Sequence, residues 1–225
     1  MGLTLYTYDW VPDFPRGFVR DLRVRWALEE VGRPYAVATV PLDPKSDGHR
    51  AMQPFGQVPV IRDGGLVLFE SGAIVLHLAE GTPLLPADRR AEITQWLIAA
   101  LNSVESVSGR WMMMVLAERW PGFFGPPSPP EVVAGALRAM RARLDALEPL
   151  LADRAWIAGD FSAADIIMAD VLRVIDAEGQ LTAHPALAAY VARATARPAF
   201  GRAMADHMAH WQAADRARRS EPGGR

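Results

Sequence analysis

The chain of 225 residues has no cysteine, so a disulfide framework, a thiolate metal site and a protein thiol nucleophile are all excluded. Any sulfur chemistry has to arrive with a ligand. An excess of one charge is also missing: 24 Lys plus Arg stand against 26 Asp plus Glu, which provides no bulk field for nucleic acid or an anionic membrane. Neither is expected as a partner. Apolar runs are short and interrupted by charge, and the N-terminus has no basic segment, apolar stretch and cleavage site in series, so the expectation is a cytoplasmic protein. What the chain does have is 50% hydrophobic residues, enough to bury real cores at this length.

Hydrophobic period divides it in two. Leu3 to Tyr8 alternates like a strand, and Phe18 to Val31 carries Val19, Leu22, Trp26 and Val31 at helical intervals, with Gly32 at the C-cap position and Pro34 beyond. Tyr35 to Val40 is a second strand. Val58 to Ile61 and Leu66 to Phe69 are two more, joined by the hairpin signal Asp63-Gly64-Gly65, and Ser71 to Glu80 returns to helical spacing. A short helix near His49 completes a β-α-β-α-β-β-α order, which predicts a mixed sheet covered by helices.

Beyond the Pro/Gly-rich stretch of 81–88 the pattern is helical throughout, with segments near Arg89 to Arg119, Pro130 to Leu151, Ser162 to Glu178, Pro185 to Arg197 and Ala199 to Arg216. Pro121 to Pro130 is expected to be a loop and Arg216 to Arg225 a frayed tail. The expected organisation is therefore residues 1–80, a linker at 81–88 and an all-helical domain at 89–225.

The densest signal is Gln53-Pro54-Phe55-Gly56-Gln57-Val58-Pro59, followed by Val60-Ile61-Arg62-Asp63-Gly64-Gly65-Leu66-Val67-Leu68-Phe69-Glu70-Ser71 and an apolar helix. A cis Val58-Pro59 bond would leave the N–H and C=O of Val58 free to pair with an extended peptide, and Glu70-Ser71 at a helix start suits an ammonium and a carboxylate. Taken singly, these residues are also compatible with a tight turn and an N-cap pair. As an ordered block, the segment resembles the N-terminal domain of glutathione transferases over residues 1–80, most closely the plant-type phi class.

The resemblance implies a thioredoxin-like βαβαββα domain followed by an all-helical domain, an α/β plus all-α architecture. It implies glutathione as substrate or cosubstrate, with Val58 and Pro59 at its cysteinyl unit, Glu70 and Ser71 at its γ-glutamyl end, and Lys45 and Gln57 near its glycine carboxylate. It also implies a detoxifying homodimer and a small apolar second substrate, held between the domains. Ser106 to Trp120, with Trp111, Met112, Met113, Met114 and Trp120, and then Phe123 and Phe124, would contribute to that second pocket, and at least one Met should lie outside the core. Phe161-Ser162-Ala163-Ala164-Asp165 resembles the start of the family's central helix; as a capping box its role is structural.

One part departs from the family pattern. Where serine- and cysteine-type members place their catalytic residue, this chain has a longer loop, Asp9 to Gly17, and Pro15-Arg16-Gly17 at the critical place. Tyr8, aligned with the tyrosine of tyrosine-type members, Arg16, and the main-chain N–H groups of the Arg16-Gly17 turn are the candidates for holding a thiolate. Tyr8 is equally a half-buried aromatic in form, and Arg16 a surface partner of Asp9 or Asp13. His77 is expected in the core, and His184, His207 and His210 show no metal-ligand spacing. The expected activity is transfer of glutathione to an apolar electrophile; a non-catalytic glutathione carrier or a glutathione-dependent disulfide reductase are the alternatives.

Overall fold

A computed structural model describes residues 2–220. Strands β1 (Leu3–Tyr8), β2 (Tyr35–Val40), β3 (Val60–Asp63) and β4 (Leu66–Phe69) form a sheet of order β2-β1-β3-β4, with β1 parallel to β2 and antiparallel to β3. Helices α1 (Asp21–Val31), α2 (Asp47–Met52) and α3 (Ser71–Ala79) interleave with them in the expected order. Gly64, at φ 59°, permits the two-residue hairpin that sets Asp63 opposite Leu66. Strand β3 begins at Val60, two residues later than the sequence suggests, and α1 begins at Asp21 because Pro15 to Arg20 form successive turns.

The remaining described helices are α4 (Arg90–Ala99), α5 (Ser106–Arg119), α6 (Pro121–Phe124), α7 (Pro130–Ala152), α8 (Ala163–Asp176), α9 (Pro185–Thr195) and α10 (Pro198–Ser220). The single segment expected over Arg89 to Arg119 is α4 and α5 joined by a wider π-type turn, Ala100–Glu105. The expected Pro121 to Pro130 loop contains the short α6, for which Pro121 supplies a favourable first position. The expected frayed tail is helical as far as Ser220; the rest of that stretch lies outside the described residues. Among the described residues no helix is long and apolar enough to cross a membrane.

Contacts group the chain into two compact units that divide between Pro83 and Leu84. The second runs from Leu84 to Thr195, and the chain from Ala196 onward belongs with the first. This differs from the linear division at 89–225, for a packing reason: α10 buries Ala199, Phe200, Ala203, His207 and Trp211, and packs on α1, with Phe200 edge-on to Trp26 at 4.9 Å. Helix α1 is thereby covered by α3 and α10, and its residues from Asp21 to Leu28 are all buried. Three of them are charged, and burial obliges them to find partners. Arg25 Nε donates to Asp21 Oδ2 at 2.8 Å and its Nη1 to Asp206, while His207 Nδ1 lies 3.3 Å from the same Asp21 oxygen.

In the second unit α8 is the central helix, with every residue from Ala163 to Leu172 buried. Asp165 organises its entry as a structural residue. Its carboxylate accepts from Ser162 N–H at 2.9 Å, Ile157 N–H at 2.9 Å and the Tyr190 hydroxyl at 2.8 Å. Burial pushes the carboxyl up, against the pull of these bonds.

Candidate functional site

Strand register brings the separate candidates to one end of the sheet. Val60 pairs with Phe69, so Val58-Pro59, just before β3, lies beside Glu70-Ser71, just after β4. Val60 also pairs with Tyr6, which sets Tyr8, two residues on, alongside Val58. The Val58-Pro59 bond is cis, as is Asp43-Pro44.

Each candidate is held by neighbours that sequence periodicity does not reveal. Glu70 has φ 68° and is the sole non-glycine with positive φ among the described residues, a conformation that persists only when the surroundings impose it. Its side chain is exposed. Ser71 is buried at the first position of α3, where N–H groups have no partner within the helix, and its Oγ accepts from Arg23 Nη1 at 3.3 Å. Gln57 is exposed and Pro59 buried; the Gln57 carbonyl accepts from Nε2 of the buried His49 at 2.8 Å, and the Gln57 N–H donates to Gln53 Oε1 at 3.1 Å. The peptide leading into Val58 is therefore fixed from both sides.

Tyr8 and Lys45 meet. Lys45 Nζ donates to Tyr8 Oη at 3.1 Å and also sits 4.2 Å from the centre of its ring. The Tyr8 hydroxyl in turn donates to the Gly56 carbonyl at 3.3 Å, longer than the usual hydroxyl bond. The Lys45 stem lies so close over Gly56 that a Cβ there would stand 3.1 Å from Lys45 Cγ.

Arg16 is placed differently. Its Nε and Nη2 donate to the Val11 carbonyl, Nη1 and Nη2 engage both oxygens of Asp215 at 2.6 and 2.7 Å, and Nη1 reaches Asp13 at 2.9 Å. All five of its N–H groups are thus matched. The hydrogen bonds from Arg16 and then Trp10 hold the Asp215 carboxyl well below the usual range. The main-chain donors of the same turn are engaged too: Arg16 N–H on Asp13 O, Phe18 N–H on Pro15 O, and Gly17 N–H on His207 Nε2 at 3.3 Å. The expectation that the Arg16-Gly17 backbone offers free donors is corrected by these bonds. Of the side chains considered for a thiolate, Arg16 has every donor matched, whereas the Tyr8 hydroxyl donates one long bond of 3.3 Å.

One histidine also differs from expectation. His77 is not in the core; half-buried, it bonds Asp63 at 2.9 Å, beside Arg33. His207 is fully buried and accepts from Trp211 Nε1 at 3.0 Å, and His210 Nε2 donates to the Tyr8 carbonyl at 2.9 Å. Among the described residues no three His, Cys, Asp or Glu are grouped to hold a metal ion. In the second unit Trp111 is buried, while Met113 is 49% exposed, with Trp120 and Phe123 exposed as well.

Residues 4–80 match the family of glutathione S-transferase N-terminal domains and residues 111–198 that of the C-terminal domains. Glutathione S-transferase 3 of Zea mays is 32% identical over 200 residues, which cover 82% of this chain and 88% of the maize protein. The solved structure of glutathione S-transferase I from maize, in complex with an atrazine glutathione conjugate, is similar with a TM-score of 0.74 at 25% identity, over 92% of this chain and 99% of that one. A glutathione transferase from Burkholderia graminis, with two glutathione molecules bound per subunit, is similar with a TM-score of 0.71 at 25% identity, over 90% of this chain and 87% of that one. With both domain families matched in order and a relative spanning most of its length, the chain belongs to the glutathione S-transferase family.

Proposed function

We propose that the protein binds glutathione at the sheet end described above and transfers its thiolate to a small apolar electrophile. The register that gathers Tyr8, Val58 and Glu70-Ser71 carries this reading. Glu70 takes the γ-glutamyl ammonium and the α3 N-terminus with Ser71 its carboxylate; the Val58 main chain pairs with the cysteinyl unit. Gln57 is the residue available at the glycine end. Tyr8 donates to the sulfur. A thiol of pKa about 8.5 needs a fall of about two units, roughly 2.7 kcal/mol, to be mostly thiolate at neutral pH, and one charge-assisted hydrogen bond contributes about 1.5–3 kcal/mol.

The apolar acceptor is supported by Met113, Trp120 and Phe123, which the second unit leaves exposed. Family membership also supports a cytoplasmic, detoxifying homodimer, and Phe55, 70% exposed on the turn before Val58, is the residue of the first unit best suited to contact a second copy. A second reading, glutathione-dependent disulfide reduction, is favoured by the two glutathione molecules in the Burkholderia graminis relative, because a protein without cysteine would need both. Conjugation of glutathione to an aryl halide, run beside reduction of hydroxyethyl disulfide, separates them. Activity in the first assay alone supports transfer, activity in the second alone supports reduction, and binding without either identifies a carrier.

A further inference from the structure

The family resemblance assigns Lys45 to the glycine carboxylate of glutathione, yet its ammonium lies on Tyr8, in contact with both the oxygen and the ring. The geometry points to a different role, in which Lys45 acts on the thiol through Tyr8. It is a positioning residue, and the inference rests on the reading of this sheet end as a glutathione site.

The chemistry follows from the direction of the bonds. An ammonium has three donors and no acceptor, so the Tyr8 oxygen accepts from Lys45 and keeps its own proton to donate. An oxygen that accepts from a cation is a stronger donor through its remaining proton, because chained hydrogen bonds polarise one another. That proton faces the Gly56 carbonyl at 3.3 Å, a long bond that a better acceptor can replace. A thiolate is such an acceptor. When glutathione binds, its S–H bond breaks, the proton leaves to solvent, the electron pair stays on sulfur, and the Tyr8 hydroxyl turns from Gly56 to the sulfur. No covalent bond of the protein changes.

Two features keep the ammonium in place. Its stem packs over Gly56, whose missing side chain makes the room, and its charge rests on the face of the Tyr8 ring. The main chain of Tyr8 is anchored independently by His210. The phenol is therefore oriented from the backbone side and the cation side together.

The test uses two thiols, glutathione and γ-glutamylcysteine, which lacks the glycine. Thiolate absorbance of each, bound to the full-length protein, is titrated against pH for the wild type, Lys45→Met, Lys45→Arg, Tyr8→Phe and the Tyr8→Phe/Lys45→Met pair, with circular dichroism confirming that each variant is folded. The expected result is that Lys45→Met lowers the bound thiolate-to-thiol ratio at a given pH by roughly tenfold for both ligands. Lys45→Arg restores part of it, and Lys45→Met adds nothing once Tyr8 is Phe. A Lys45→Met variant that binds glutathione more weakly, but leaves both titrations and the affinity for γ-glutamylcysteine unchanged, overturns the proposal and returns Lys45 to the glycine carboxylate. Independent, multiplying effects of the two substitutions overturn it as well. A wild type that binds neither thiol removes the glutathione reading, and the proposal with it.

Discussion

Arg16 and Asp215, separated by 199 positions, face each other through two hydrogen bonds of 2.6 and 2.7 Å, and the pair ties the loop after β1 to α10. Trp10 joins them: its indole N–H donates to Asp215 at 2.9 Å, and Arg218 stacks 4.3 Å over its ring. A bidentate arginine pair fixes geometry as well as distance. Asp215→Ala is expected to raise protease cleavage and amide exchange between residues 9 and 20 severalfold while α1 and the sheet stay protected. Unchanged protection of that loop would show that the remaining contacts of α10 hold it.

The same contact sets an acid limit. Asp215 is held low by Arg16, and Asp21, which burial alone would raise, is brought below its usual value by His207 and then Arg25. A carboxyl whose folded pKa lies below its unfolded value of about 4 contributes fully above that pH, and its contribution is lost as pH falls through the folded value. Stability followed by denaturant midpoint should therefore decline as the buffer is taken below about pH 4, and Asp215→Asn should make that decline shallower. An identical acid profile in the variant would remove Asp215 from the account.

At the glutathione end, Ser71→Ala removes one hydrogen bond to a charged carboxylate, worth about 1.5–3 kcal/mol or roughly ten- to a hundredfold in affinity. Titration calorimetry with glutathione checks this. If Ser71→Ala and Glu70→Ala together leave retention on immobilised glutathione unchanged, the proposed site is wrong.

Gly56→Ala is expected to disturb Lys45 without touching any charged group. The residue has φ 63° and its new Cβ would stand 3.1 Å from Lys45 Cγ, so both backbone and stem are strained. The stability cost of the backbone alone is about 1–2 kcal/mol, and the bound thiol should titrate as it does in Lys45→Met. A thiol titration like the wild type's would mean that Lys45 keeps its place by moving the stem.

In the second unit, Asp165→Ala leaves the Ile157 and Ser162 N–H groups and the Tyr190 hydroxyl without their acceptor in a buried setting. Each unsatisfied group costs about 1–3 kcal/mol, so a loss of at least roughly 3 kcal/mol in unfolding free energy is expected by chemical denaturation. A loss under about 1 kcal/mol would mean that water replaces the carboxylate.

The bounds of β1, β2 and β4 are legible to the residue, β1 from the alternation of a half-buried strand and β2 and β4 from runs of strand-favouring types. The capping box at Ser162 and Asp165 was equally legible, being a bond between residues three apart. So was the block from Gln53 to Ser71, whose candidates flank two adjacent strands joined by a hairpin. Local chemistry leaves local traces. The bond from Lys45 to Tyr8, the Arg23 guanidinium on Ser71 and the return of α10 to the first unit left none, because each depends on which surfaces meet after long stretches of chain have been placed. Arg16 shows the difference most plainly: its sequence position offers it to a ligand, and only the packing of α10 against α1 sets Asp215 before it, taking up the two donors that Val11 and Asp13 leave.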